Sequence, residues 1–130
     1  MKKLSITLTT LALLVSNIYG YSQEERIKDM QSMAQALSEV QKGILYNNKV
    51  WVHEGVVKLK KASEEIEITP KLEMDYSSVF AKEQAMHIER YATKIDEEMQ
   101  KGKKHATLKM YTKVLNQCVS CHNKIRKWNP

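Results

Sequence analysis

Apolar residues recur at steps of three and four along most of the chain, and that period restricts the fold more than any other feature. Met30, Met33, Leu37, Val40 and Ile44 follow steps of 3, 4, 3 and 4, which places them along one face of an α-helix. Val52, Val56, Leu59, Ala62 and Ile66 make a second stripe. Tyr76, Phe80, Ile88, Tyr91, Ile95 and Met99 make a third, and Leu108, Tyr111, Leu115, Cys118, His122 and Ile125 a fourth. No stretch alternates with the period of two expected of a half-buried strand. The breaks between stripes have their own chemistry. Asn47 and Asn48 supply a turn, Pro70 cannot continue a helix, and Gly102 is the residue type that ends one. Ser22, with Glu25 three residues later, has the pattern of a capping box. The spacing therefore predicts helices over about 23–45, 50–66, 71–101 and 103–128. Gly55 either weakens the second helix or permits a close approach. Four helices with short links imply antiparallel neighbours, so the expected fold is all-α, an antiparallel four-helix bundle.

The ends of the chain carry a different signal. Met1, Lys2 and Lys3 precede an apolar run from Leu4 to Ile18 and a small residue at Gly20, the pattern of a secretory signal peptide. The run is broken by Thr7, Thr9, Thr10, Ser16 and Asn17 and is short for a bilayer span. We expect residues 1–20 to be removed, 21–130 to form one domain in the periplasm, and no stable membrane insertion afterwards. Loss of Lys2 and Lys3 lowers the formal charge from +6 to +4. That mild excess can steer an acidic partner. Its basic residues are interleaved with acidic ones and lack an aromatic platform, so no nucleic-acid binding is expected. Both cysteines sit in one motif, which leaves no disulfide framework. A domain of this size must then bury enough apolar surface by itself or take a cofactor into its core.

That motif is Cys118, Val119, Ser120, Cys121, His122. C-x-x-C-H is the attachment signature of a c-type haem. Two thiols must reach the two vinyl groups on one porphyrin edge, and the next residue must bring an imidazole nitrogen to the iron. On a helix the three-residue step sets both thiols on one side, and His122, four residues after Cys118, projects from that side too. A thioredoxin-like dithiol would expect a βαβ context. A zinc site would need further ligands, and His53, His87 and His105 are not spaced as a partner pair. No acid–base pair or activated nucleophile is placed by any spacing, so no enzyme is expected.

With its haem motif near the end of a last helix, the chain resembles the cytochrome c′ class of four-helix-bundle monohaem cytochromes c. In that class the motif is followed by x-x-aromatic-Arg. Here Asn123, Lys124, Ile125 and Arg126 follow. Arg126 matches the family arginine, and Ile125 stands where an aromatic is usual. The resemblance covers the mature chain in architecture and is specific only from Cys118 to Arg126. It implies one covalent haem c on the last helix, iron bound by His122, and Arg126 beside the proximal histidine or a propionate. Dimers through the first two helices are common in the class.

The distal side separates two functions. The resemblance implies that the distal residue comes from the first helix: methionine in low-spin members, a non-ligating apolar residue in high-spin ones. The family arginine four residues before the distal position corresponds to Arg26 and points to Met30. Counting back from Lys42-Gly43 points to Ile27, one helical turn away. Met33 is the other methionine within reach, both methionines could simply fill the core, and His87 could ligate instead. With Met30 on the iron, the expected function is single-electron transfer with periplasmic redox proteins. With an open distal face, it is binding or scavenging of nitric oxide or carbon monoxide. A third reading is a periplasmic structural or assembly protein whose haem serves mainly as core. His53 and His105 are expected near solvent. The Lys58, Lys60 and Lys61 cluster is expected to be a solvated face or a contact for an acidic redox partner.

Overall fold

The computed structural model describes the backbone of residues 23–66 and 75–126, and the side chains of 24–66 and 79–124. The expected signal segment, Ser22, Pro70, Trp128 and the side chains of Tyr76, Ile125 and Arg126 lie outside the described residues. Four helices are present, α1 Gln23–Leu45, α2 Lys49–Glu64, α3 Asp75–Gln100 and α4 Lys104–Arg126, with no strand among the described residues. They form the expected all-α, antiparallel bundle. α1 packs on α2, α2 on α3 and α3 on α4, whereas α1 and α4 meet only marginally.

The turns follow from local chemistry. Asn47 takes a left-handed conformation, φ 54°, and the Asn48 amide donates back to Gly43 O at 2.8 Å. The Asn48 side chain then accepts from Trp51 N at 3.1 Å. This cap starts α2 one residue earlier than the apolar period implies, because a side-chain acceptor satisfies an orphan donor of the first turn. Gly102, φ 72°, closes α3: its amide donates to Met99 O at 3.0 Å and that of Lys103 to Glu98 O at 2.9 Å. A residue in this conformation is the usual way a helix releases its last carbonyls. α2 stops at Glu64, and Ile66 is buried beyond its end.

All five residues expected to form the buried stripe of α2 are buried. Gly55 serves close approach. A Cβ there would lie 2.8 Å from Val40 N and Cγ2 and 3.1 Å from Ala36 O, and one on Gly43 would lie 2.7 Å from Val52 N. The two glycines let the α1 and α2 backbones nearly touch. Gly55→Ala is therefore expected to destabilise the bundle. Helix propensity alone would raise stability by about 1 kcal/mol, but overpacking against a neighbouring backbone costs about 1–3 kcal/mol. A urea midpoint that moved up rather than down would contradict this packing.

On α1 and α4 the buried line is rotated from the expected one. In α1 the residues against the core are Met33, Ala36 and Val40, with Gly43, while Met30, Leu37 and Ile44 are half-buried at its edge. The glycine contacts draw α1 toward α2 and away from α4. In α4 the buried residues are Thr107 and Val114, with Met110, Tyr111 and Cys118 packed against the core, while Leu108 and Leu115 are exposed. The flank of α4 turned to α3 is held by Lys113 Nζ over the Tyr91 ring at 5.1 Å and Lys124 Nζ over the Phe80 ring at 4.1 Å. Each outer helix thus leans on its hairpin partner, and each presents an apolar shoulder on its other side.

Candidate functional site

α4 carries the C-x-x-C-H residues on consecutive turns. Cys118 and Cys121 are free, half-buried thiols, and His122 is half-buried beside them. Burial pushes both thiols above their ordinary range, and at Cys118 the neighbouring Cys121 adds to the rise. A catalytic dithiol needs the opposite shift, since the thiolate is the nucleophile. Burial also pushes up the Tyr111 phenol, with Cys118 as a second cause, which sets Tyr111 beside the motif. Leu115, 38% exposed, and Val119, 47% exposed, lie at helical-neighbour spacing from Cys118 and His122. The motif is therefore embedded in an apolar flank that the protein leaves partly uncovered.

That flank turns toward α1. Lys113 and Lys124 mark the α3 side of α4. Leu108, Leu115 and His122, seven residues apart in turn, lie about half a revolution from Lys113. On α1, Ala36 and Gly43 mark the α2 side. Met30 and Leu37, again seven apart, project from the other side, with the exposed Ile27 beyond them. The heights agree as well. Both turns lie at one end of the bundle, tied by Lys49 Nζ donating to Gln100 O at 2.7 Å. Met30 precedes Asn47 by 17 residues and Val119 follows Gly102 by 17, so at 1.5 Å per residue both stand about 25 Å from the turns. Met30 is thus level with the C-x-x-C-H residues and on the flank that faces them. Met33 is buried in the core at 6% exposure.

The remaining candidates are placed differently. His87 stacks on Tyr91, with ring centroids 6.3 Å apart. Its Nδ1 stands 3.0 Å from Arg90 Nη2 and its Nε2 3.9 Å from Glu83. Because the Tyr91 ring also receives Lys113, His87 lies on the α3 side of α4, away from the His122 flank. His53 is exposed and paired with Asp96 at 2.7 Å, and His105 is exposed. Lys58 pairs with Glu39 at 2.6 Å, while Lys61 is exposed and Lys60 half-buried. Arg26 is exposed one turn before Met30, and Arg126 closes α4. Asp29, only 6% exposed next to Met30, is a buried carboxylate that the apolar pattern passes over. Its signal in the sequence is Arg26 three residues earlier, at the spacing of helical neighbours.

Among the described residues no group of three or more His, Cys, Asp or Glu is gathered as an ion-chelating site. A haem tether asks for none, since porphyrin nitrogens already hold the iron and the protein adds only axial ligands. No protein-family model, curated protein or solved structure matches this chain.

Proposed function

We propose that the chain is an exported monohaem c-type cytochrome of the cytochrome c′ class that carries single electrons between periplasmic redox proteins. The observation that carries the reading is the apolar flank around Cys118, Cys121 and His122, left uncovered where α1 and α4 fail to close. A flat apolar group would cover such a flank, and the free half-buried thiols are the donors a covalent haem requires. Cys118 and Cys121 would tether the porphyrin edge as thioethers. His122 would hold the iron on the proximal side, with Arg126 beside it or at a propionate. Met30, level with the motif on the facing flank of α1, is the distal ligand of choice. Once bound, the haem supplies a one-electron Fe(III)/Fe(II) couple. A sulfur and an imidazole held by two helices of one packed bundle favour that role, because neither ligand must move far when the iron changes oxidation state. The same seam with a non-ligating Met30 would admit a diatomic gas, the alternative function.

The tether gives the direct test. The purified protein is expected to keep its haem stain through denaturing electrophoresis. Replacing Cys118 and Cys121 together with Ala is expected to abolish the stained band. A band that persisted in the double variant would refute covalent attachment at this motif.

A further inference from the structure

We propose that the turn end of the bundle, opposite the C-x-x-C-H end, docks on the surface of an anionic lipid bilayer. Leu45 and Tyr46 are each 74% exposed and Val50 is 62% exposed, within six consecutive positions that form the tip between α1 and α2. Trp51 stands behind them, its ring edge-on to Tyr46 with centroids 5.8 Å apart. Apart from the Tyr46–Trp51 ring contact, these large side chains are mostly open to solvent at the turn. The aromatic pair is of the type that settles at the headgroup level of a membrane.

The two turns themselves carry only positive charge, while Glu39 and Glu54 line the recess beside Trp51. No acidic residue occurs between positions 42 and 51, nor between 99 and 105. The same stretches contribute Lys42, Lys49, Lys101, Lys103 and Lys104. The bond from Lys49 Nζ to Gln100 O joins the two turns into one surface. Glu98 takes Lys101 at 2.9 Å and Lys103 at 3.9 Å, yet the lysines still outnumber it. An apolar wedge ringed by lysines matches a bilayer of anionic headgroups, where cations meet phosphate while apolar tips enter the acyl boundary. Tip-to-tip docking of a second copy would set lysine against lysine. An acidic protein would match the charge but offers the exposed Leu45, Tyr46 and Val50 no acyl boundary to enter. Among the described residues no helix is long and apolar enough to cross a membrane, so this association is peripheral.

Co-sedimentation with vesicles tests the proposal on the purified protein. Vesicles of equal parts phosphatidylglycerol and phosphatidylcholine are expected to bind it about tenfold more tightly than pure phosphatidylcholine, with the difference lost in high salt. Leu45→Ser combined with Tyr46→Ser is expected to weaken that binding about fivefold or more, and Val50→Ser to act in the same direction. Val57→Ser, an exposed apolar position in mid-α2, is expected to leave it unchanged. Unaltered helical circular dichroism checks that each variant is folded. Equal binding to both vesicle types, no binding to either, or binding untouched by the Leu45 and Tyr46 substitutions would overturn the proposal. Retention on polyglutamate resin together with that last result would assign the surface to an acidic protein instead.

Discussion

In the haem-loaded protein proposed above, Met30→Ala is expected to change the spin state of the iron and open it to gas. If the Met30 sulfur is the sixth ligand, the ferrous protein is low-spin and resists carbon monoxide. The alanine variant is then high-spin and binds carbon monoxide readily. The motivation is positional, because Met30 lies on the flank of α1 turned to α4 and at the height of the motif, whereas Met33 belongs to the buried core. Met33→Ala should keep the low-spin spectrum and cost about 2–5 kcal/mol of stability, as truncation of a buried methionine does. Visible spectra in both oxidation states, with and without carbon monoxide, separate the outcomes. An exchange of roles between the two variants would move the ligand to Met33. An unmutated protein that is already high-spin and binds carbon monoxide would replace electron transfer with gas binding. A low-spin spectrum untouched by both variants would point to His87, despite its place beside Arg90 and Tyr91 on the other flank of α4.

The second large effect concerns the fold itself. Protein produced without haem maturation is expected to melt far below the loaded form and to be cut readily by protease near α1 and α4. Met30, Leu37, Leu115 and Val119 are half-buried or exposed on the seam. Completing the burial of four such side chains is worth on the order of 1 kcal/mol each, so about 4 kcal/mol in all. For a domain near this size, each kcal/mol moves the melting temperature by about 4–8 °C, so the two forms should differ by roughly 20 °C. Calorimetry of the two preparations checks this, and equal melting temperatures would show that the seam needs no covering group. The Cys118→Ala and Cys121→Ala double variant should resemble the unloaded form, since it lacks the tether and loses little packing beyond the Cys118 sulfur.

Where periodicity carried the information, the residues were sufficient. The α1 bounds follow from the 3, 4 spacing together with the Ser22/Glu25 pattern and the Asn47-Asn48 turn, the α2 stripe is buried as its pattern requires, and Asn47, Asn48 and Gly102 mark the two described turns. These features are local, because a cap or a left-handed residue needs only its own neighbours along the chain. The motif was equally legible, since C-x-x-C-H is contiguous in sequence.

Which side of each outer helix meets the core was not legible in the same way. A stripe read from sequence shows that a helix has an apolar side, and on α1 and α4 that side is broad enough to allow more than one rotation. The choice was made by contacts distant in sequence. Gly43 and Gly55 let α1 sink against α2, and Tyr91 with Lys113 and Phe80 with Lys124 turn α4 toward α3. The residues alone determined four helices, their turns and the thiol–imidazole motif, because each depends on short-range geometry. Only the tertiary structure decided that Met30 and the motif flank one uncovered seam at one height, while Met33 is in the core and His87 on the far side. Such placement depends on how closely two backbones can approach, and that distance is set by pairs of residues that no local pattern brings together.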